Sequence, residues 1–166
     1  LAWSRGLGDV YKRQLSVNIS SIGISDPPLL SKAHILLKQY NVGHRLIIEL
    51  TETTCNRNYK QIASIMRELK KYGCRFALDD FGSGFTSLGQ LQQLPIDIIK
   101  IDGDYIRDIT SNTQNRNFVQ SIISIAKSLG IQTVAEFVEN RETVQCLIDL
   151  KIDSMQGNFF SDSQIS

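Results

Sequence analysis

Cysteine is scarce in this 166-residue sequence: Cys55, Cys74 and Cys146 are odd in number, far apart and without a CxxC pair. That spacing excludes a disulfide framework and agrees with a reducing, cytosolic setting. No apolar run approaches the roughly 20 residues a membrane span needs, and no signal-peptide pattern is present. Charge of one sign is also missing. The formal net charge is +1 with no block of like charges, which argues against a nucleic-acid polymer as partner. Only three prolines occur, and hydrophobic residues make up 42% of the chain, so the composition is that of one packed domain rather than a disordered segment.

The first fourteen residues, LAWSRGLGDVYKRQ, do not share the periodicity of the rest of the chain. The stretch DVYKRQ is what the end of a common sequencing transposon encodes in frame. Residues 1–14 are therefore expected to be a non-native leader, and the domain is read from residue 15 to 166.

From there short apolar runs alternate with helical-period stretches. LSVNIS (15–20) alternates strictly, and RLIIELTE (45–52), RFALD (75–79), IDIIKID (96–102) and QTVAEF (132–137) read as further strands. DSMQGNFF (153–160) begins one more strand and its loop. Between them lie helices ending near Gly43, Gly73 and Gly130, a short one around 88–94, and one over 141–150. In the helix over 115–130 the apolar face is expected to be Phe118, Ile122, Ile125 and Leu129. Strands separated by helices imply a parallel sheet, either an open doubly wound one or a (β/α)8 barrel.

The strand ends favour the barrel. They carry Asn18, Glu49, Asp79 with Asp80, Lys100 with Asp102, Glu136 and Gln156, although acids and asparagine are depleted in strands and buried charge is costly unless paired. Asn18, Glu49, Asp79 and Asp80 offer only oxygen ligands, the preference of Mg2+ or Mn2+. Adjacent aspartates on a bending strand end suit two metals about 3.5–4 Å apart, the spacing of in-line phosphoryl chemistry. Lys100 is placed to stabilise negative charge or position a water, and Glu136 to take a proton or complete a metal shell. Bland readings compete at each position. "DD" before glycines is commonly a turn, Lys100 can be ion-paired, and Glu49 with Glu52 can be a capping pair. "DFG" lacks the other kinase motifs, and "GSGFTS" lacks the third glycine of a dinucleotide fingerprint. His34 and His44 lie away from the strand ends and are read as solvated rather than ligating.

The stretches LSVNIS, IIELTET, FALDDFGSGFTSLGQLQQLPIDIIKID, TVAEFVEN and MQGNFF together resemble the EAL domain family, the cyclic di-GMP phosphodiesterases of bacterial signalling. The resemblance implies a TIM-barrel-like fold, incomplete here with about six βα units. It implies hydrolysis of cyclic di-GMP to linear pGpG with two Mg2+ or Mn2+ ions. By the same resemblance Asn18, Glu49, Asp79, Asp80 and Asp102 match metal positions. Lys100 and Glu136 match catalytic ones, Gln156 and Glu139 substrate-binding ones, and Glu52 the anchor of the DDFGSGF loop. That loop implies a homodimer contact. Sensory or diguanylate-cyclase-type domains are expected elsewhere in the parent chain, with this domain cytoplasmic, and an inner-membrane anchor on the parent is left open by the sequence. The Glu-Ala-Leu tripeptide that names the family, and supplies one more metal-binding glutamate, is not in the sequence. Both ends are expected to be truncated and the 166-residue chain to have little activity of its own. The alternative is a degenerate member that binds cyclic di-GMP without hydrolysing it. AEFVE also departs from the family's AEGVE, with Phe137 at a position where glycine is usual.

Overall fold

A computed structural model describes residues 14–57, 59–84 and 87–162. The leader expected over residues 1–14 therefore lies, except for Gln14, outside the described residues. Six parallel strands run in chain order as neighbours, and the described residues pack as two compact units.

The first unit covers 14–79 and 83–97. It contains β1 (Leu15–Asn18), α1 (Ser21–Ser25), α2 (Pro27–Tyr40), β2 (Leu46–Thr51), α3 (Glu52–Arg57), α4 (Tyr59–Lys70), most of β3 (Arg75–Phe81) and α5 (Leu88–Leu91). The helix starts are chemically specified. Asp26 caps α2 by accepting from the Leu29 N–H, with proline in the first turn where no N–H is needed. Ser87 and Gln90 form a reciprocal capping box on α5. On α4, Ile62, Ala63, Met66 and Leu69 are buried, a stripe at helical spacing that covers the strands. β1 and β2 are paired from Leu15↔Leu46 to Asn18↔Glu49, and β2 and β3 from Ile47↔Arg75 to Thr51↔Asp79. Beside them an apolar cavity of about 500 Å³ is lined by Val17, Ile24, Leu30, Leu37, Val42 and Ile48, among others.

The second unit covers 80–82 and 98–162 among the described residues. It holds the end of β3 with β4 (Ile98–Ile101), α6 (Gly103–Ile106), α7 (Thr113–Ser128), β5 (Gln132–Ala135), α8 (Arg141–Asp149), β6 (Ser154–Met155) and α9 (Asn158–Asp162). β4 is buried throughout, as expected of a parallel strand covered on both faces. Asn112 caps α7 and Asn140 caps α8.

Three expectations are corrected here. In α7 the buried residues are Val119, Ile122, Ile123 and Ala126, whereas Phe118 and Ile125 are exposed. The sequence offers apolar residues on more than one stripe, and packing selects the stripe. Residues 158–160 open α9 rather than continuing a loop, and the strand expected through Glu52 stops at Thr51 because Glu52 starts α3.

Acids at the N-terminal ends of strands are absorbed structurally. Asp97, just before β4, accepts the Phe76 N–H at 2.9 Å and pairs with Lys70 at 2.6 Å. Asp153, just before β6, accepts both the N–H and the hydroxyl of Thr133 at 2.8 Å. The Asp153 bonds tie the start of β6 to β5.

All three cysteines are buried and free. Burial, and secondarily the charge of Glu52, push the Cys55 thiol from 9.0 to about 12. The native state thus holds this proton more tightly than the unfolded chain does. The stability that difference contributes is complete below the unfolded value and drains away as pH rises from about 9 to about 12. Denaturant melts of wild type and Cys55→Ala at pH 8 and 10.5 check this, and the variant should lose less stability over that interval. Equal losses would contradict the assignment.

Candidate active site

The C-terminal ends of the strands differ from the N-terminal ends in the company their charges keep. In the second unit Lys100 of β4 and Glu136, the residue after β5, are both buried. Lys100 Nζ meets Glu136 Oε1 at 2.9 Å, with side-chain exposures of 9% and 8%. The same Oε1 accepts the amide Nε2 of Gln156 at 3.1 Å. Gln156 is set in place by its own backbone: its N–H donates to the Ala135 carbonyl at 2.9 Å and its carbonyl accepts the Val138 N–H at 3.1 Å. One buried carboxylate oxygen is therefore held by a cation and an amide, which fixes its orientation.

Asp80 adds a second acid. Its carboxylate offers an oxygen within 4.8 Å of one from Glu136. Two carboxylates at that range repel each other, and a cation between them relieves the repulsion. Their oxygen donors fit a hard divalent cation such as Mg2+ or Mn2+. Asp80 sits at φ 52, in the left-handed region that aspartate tolerates better than most residues. A cavity of about 230 Å³ adjoins Glu136 and is lined by Phe137, Glu139, Gln156, Gly157 and Asn158 as well; Glu139 is exposed at its rim.

In the first unit Asn18 ends β1 directly opposite Glu49 of β2, with Glu49 buried and Asn18 exposed. Asp79 is paired with Thr51 and partly exposed. Glu52 is buried, and its Oε2 accepts the Gly84 N–H at 2.8 Å, so the loop after β3 is tied to the start of α3. Phe85 and Thr86 of that loop, on which the expected dimer contact rests, lie outside the described residues. Asp102 is placed differently from the other candidates. Its Oδ1 accepts the Asp104 N–H at 2.9 Å and caps α6. His34 packs edge-on against Tyr72 with Nδ1 3.3 Å from the hydroxyl.

Phe137 stands where glycine is usual in the family, and the structure adds its backbone and its contacts. It occupies the left-handed region at φ 55, at a cost of about 1–2 kcal/mol for a residue with a Cβ. Its ring lies under the Arg107 guanidinium, 4.6 Å from the centroid, and against Gly103. A Cβ on Gly103 would stand 2.3 Å from the ring, so only glycine there leaves room. Gly103→Ala is expected to destabilise by about 1–3 kcal/mol through overpacking. In a Phe137→Gly background the same change should be nearly neutral. A urea double-mutant cycle measures this coupling, and additive effects would contradict it.

With this geometry in view, comparison with known proteins is decisive at the level of family. The EAL domain family model matches residues 3–163. Cyclic di-GMP phosphodiesterase PdeA of Borreliella burgdorferi is 40% identical over 156 residues, covering 89% of this chain and 23% of that protein. Cyclic di-GMP phosphodiesterase PdeF of Escherichia coli is 34% identical over 152 residues, covering 91% and 20%. The solved structure of the PaMucR phosphodiesterase in complex with c-di-GMP superposes with a TM-score of 0.82 at 28% identity, covering 88% of this chain and 60% of that one. The chain belongs to the EAL domain family, and its six parallel strands with their helices form the incomplete TIM-barrel-like fold of that class. It spans about a quarter or less of the length of these curated relatives.

Proposed function

We propose that the domain to which this chain contributes hydrolyses cyclic di-GMP to linear pGpG. The observation that carries the reading is the Asp80–Glu136 pair of carboxylates with the buried Lys100 and Gln156 locked onto Glu136. Its support also includes relatives named as cyclic di-GMP phosphodiesterases.

In this reading the metal-ligand candidates are Asn18, Glu49 and Asp79 in the first unit and Asp80, Glu136 and Asp102 in the second, each offering oxygen to a divalent ion. Bound metal would supply Lewis-acid charge at the phosphodiester and lower the pKa of an attacking water. Water adds to phosphorus, the bond to one ribose oxygen breaks, and the product carries one terminal phosphate and one freed hydroxyl. Lys100 keeps the Glu136 carboxylate in register and offsets charge that accumulates on phosphate oxygens. Glu136 receives a proton from the water or holds metal. Gln156 restrains Glu136, and Gln156 and Glu139 border the cavity where the ligand enters.

The sequence contains no Glu-Ala-Leu tripeptide, so the 166-residue chain alone is expected to bind Mn2+ yet make little pGpG. Calorimetric titration with Mn2+, followed by chromatography of cyclic di-GMP incubations, tests both parts. Absence of Mn2+ binding would sink the metal reading, and robust pGpG formation would show that no further glutamate is needed. The second reading, a receptor that binds cyclic di-GMP without turnover, is favoured by one observation, the non-glycine residue Phe137 beside Glu136.

A further inference from the structure

Beyond Asp80 the chain is gripped by the segment after β4. The Phe81 carbonyl accepts the Asp102 N–H at 3.3 Å. The next carbonyl, that of Gly82, accepts the Tyr105 hydroxyl at 2.8 Å. Gly82 is at φ 109, and a Cβ there would stand 2.7 Å from Tyr105 and 3.0 Å from Phe118. Those two rings pack on each other with centroids 4.3 Å apart. The turn is therefore pressed onto an aromatic pair and tied to it by one hydroxyl. Asp80, two residues earlier, is in the left-handed region at φ 52, a conformation that contacts of the following turn help to hold.

We propose that Tyr105 is a positioning residue for Asp80. Its hydroxyl, by holding the Gly82 carbonyl, keeps the turn closed and the Asp80 carboxylate directed at Glu136. The inference rests on the reading that Asp80 and Glu136 hold a divalent cation. Sequence pattern gives no hint of it, since Tyr105 lies within a four-residue helix and outside the acidic motifs.

Tyr105→Phe in the 166-residue chain separates the hydroxyl from the ring, because phenylalanine keeps the packing on Phe118. Hydrogen exchange of metal-free protein should speed up by about two- to tenfold across residues 79–84, the scale of one lost hydrogen bond, with other segments and the thermal midpoint little changed. Mn2+ binding should weaken by a similar factor. A purely structural role in packing would move neither quantity. Unchanged exchange over 79–84, or faster exchange with Mn2+ affinity equal to wild type, overturns the proposal. Failure of the wild-type chain to bind Mn2+ is a separate outcome: it sinks the cation reading, while the exchange comparison still decides whether Tyr105 fixes the turn.

Discussion

Replacing Lys100 with methionine is expected to destabilise the protein by about 3–5 kcal/mol, the scale for removing one partner of a buried ion pair. Lys100 and Glu136 are almost fully enclosed and 2.9 Å apart. Without the ammonium, Glu136 loses the cation on Oε1, retains the Gln156 amide there and faces the Asp80 carboxylate within 4.8 Å. The charge, rather than the lost volume, dominates the effect. A Lys100→Met, Glu136→Gln double variant should therefore recover most of the stability, since no uncompensated charge remains. Mn2+ should stabilise Lys100→Met more than wild type, because a divalent ion then restores positive charge beside Glu136. Urea melts with and without Mn2+ measure all three. A single variant within about 1 kcal/mol of wild type would show that the pair contributes little, as exposed pairs do.

The second large effect concerns Asp79. A chimera in which this chain replaces the matching segment of the B. burgdorferi PdeA restores the rest of a domain around it. In that chimera Asp79→Asn is expected to lower pGpG formation by more than about 100-fold. Loss of an outer-shell partner of a metal ligand alone costs about 10- to 100-fold, and a ligand itself should cost more. Asparagine keeps the size of the side chain and removes its charge, so the fold at the end of β3 should persist, which a thermal melt checks. Hydrolysis at the wild-type rate would overturn the two-metal assignment.

The polar strand ends are legible in the sequence because they break the rule that strands disfavour acids and amides. Glu49, Asp79, Lys100 and Glu136 stand out against apolar runs for that reason, and the strands themselves follow from β-branched content and alternation. Asp97 and Asp153 carry the same chemistry at the other end of their strands, and only the observed bonds show that they are structural. Asp102 stands apart from both: its spacing after Lys100 suggests a ligand, and the cap on α6 engages its Oδ1. The short helices α3, α6 and α9 escape a periodicity argument because four to six residues hold too little pattern. The backbone of Phe137 and the hydroxyl of Tyr105 are set by tertiary neighbours, Gly103 with Arg107 in one case and Gly82 in the other. The departure from AEGVE marks position 137 in the sequence, whereas nothing local anticipates the Tyr105 contact.

Chromatographic assay of the PdeA chimera with cyclic di-GMP and Mn2+ separates the proposed hydrolysis from ligand capture alone. Hydrolysis requires Mn2+-dependent pGpG that disappears with Asp79→Asn. A chimera that folds and binds cyclic di-GMP but leaves it intact would refute hydrolysis and support the receptor.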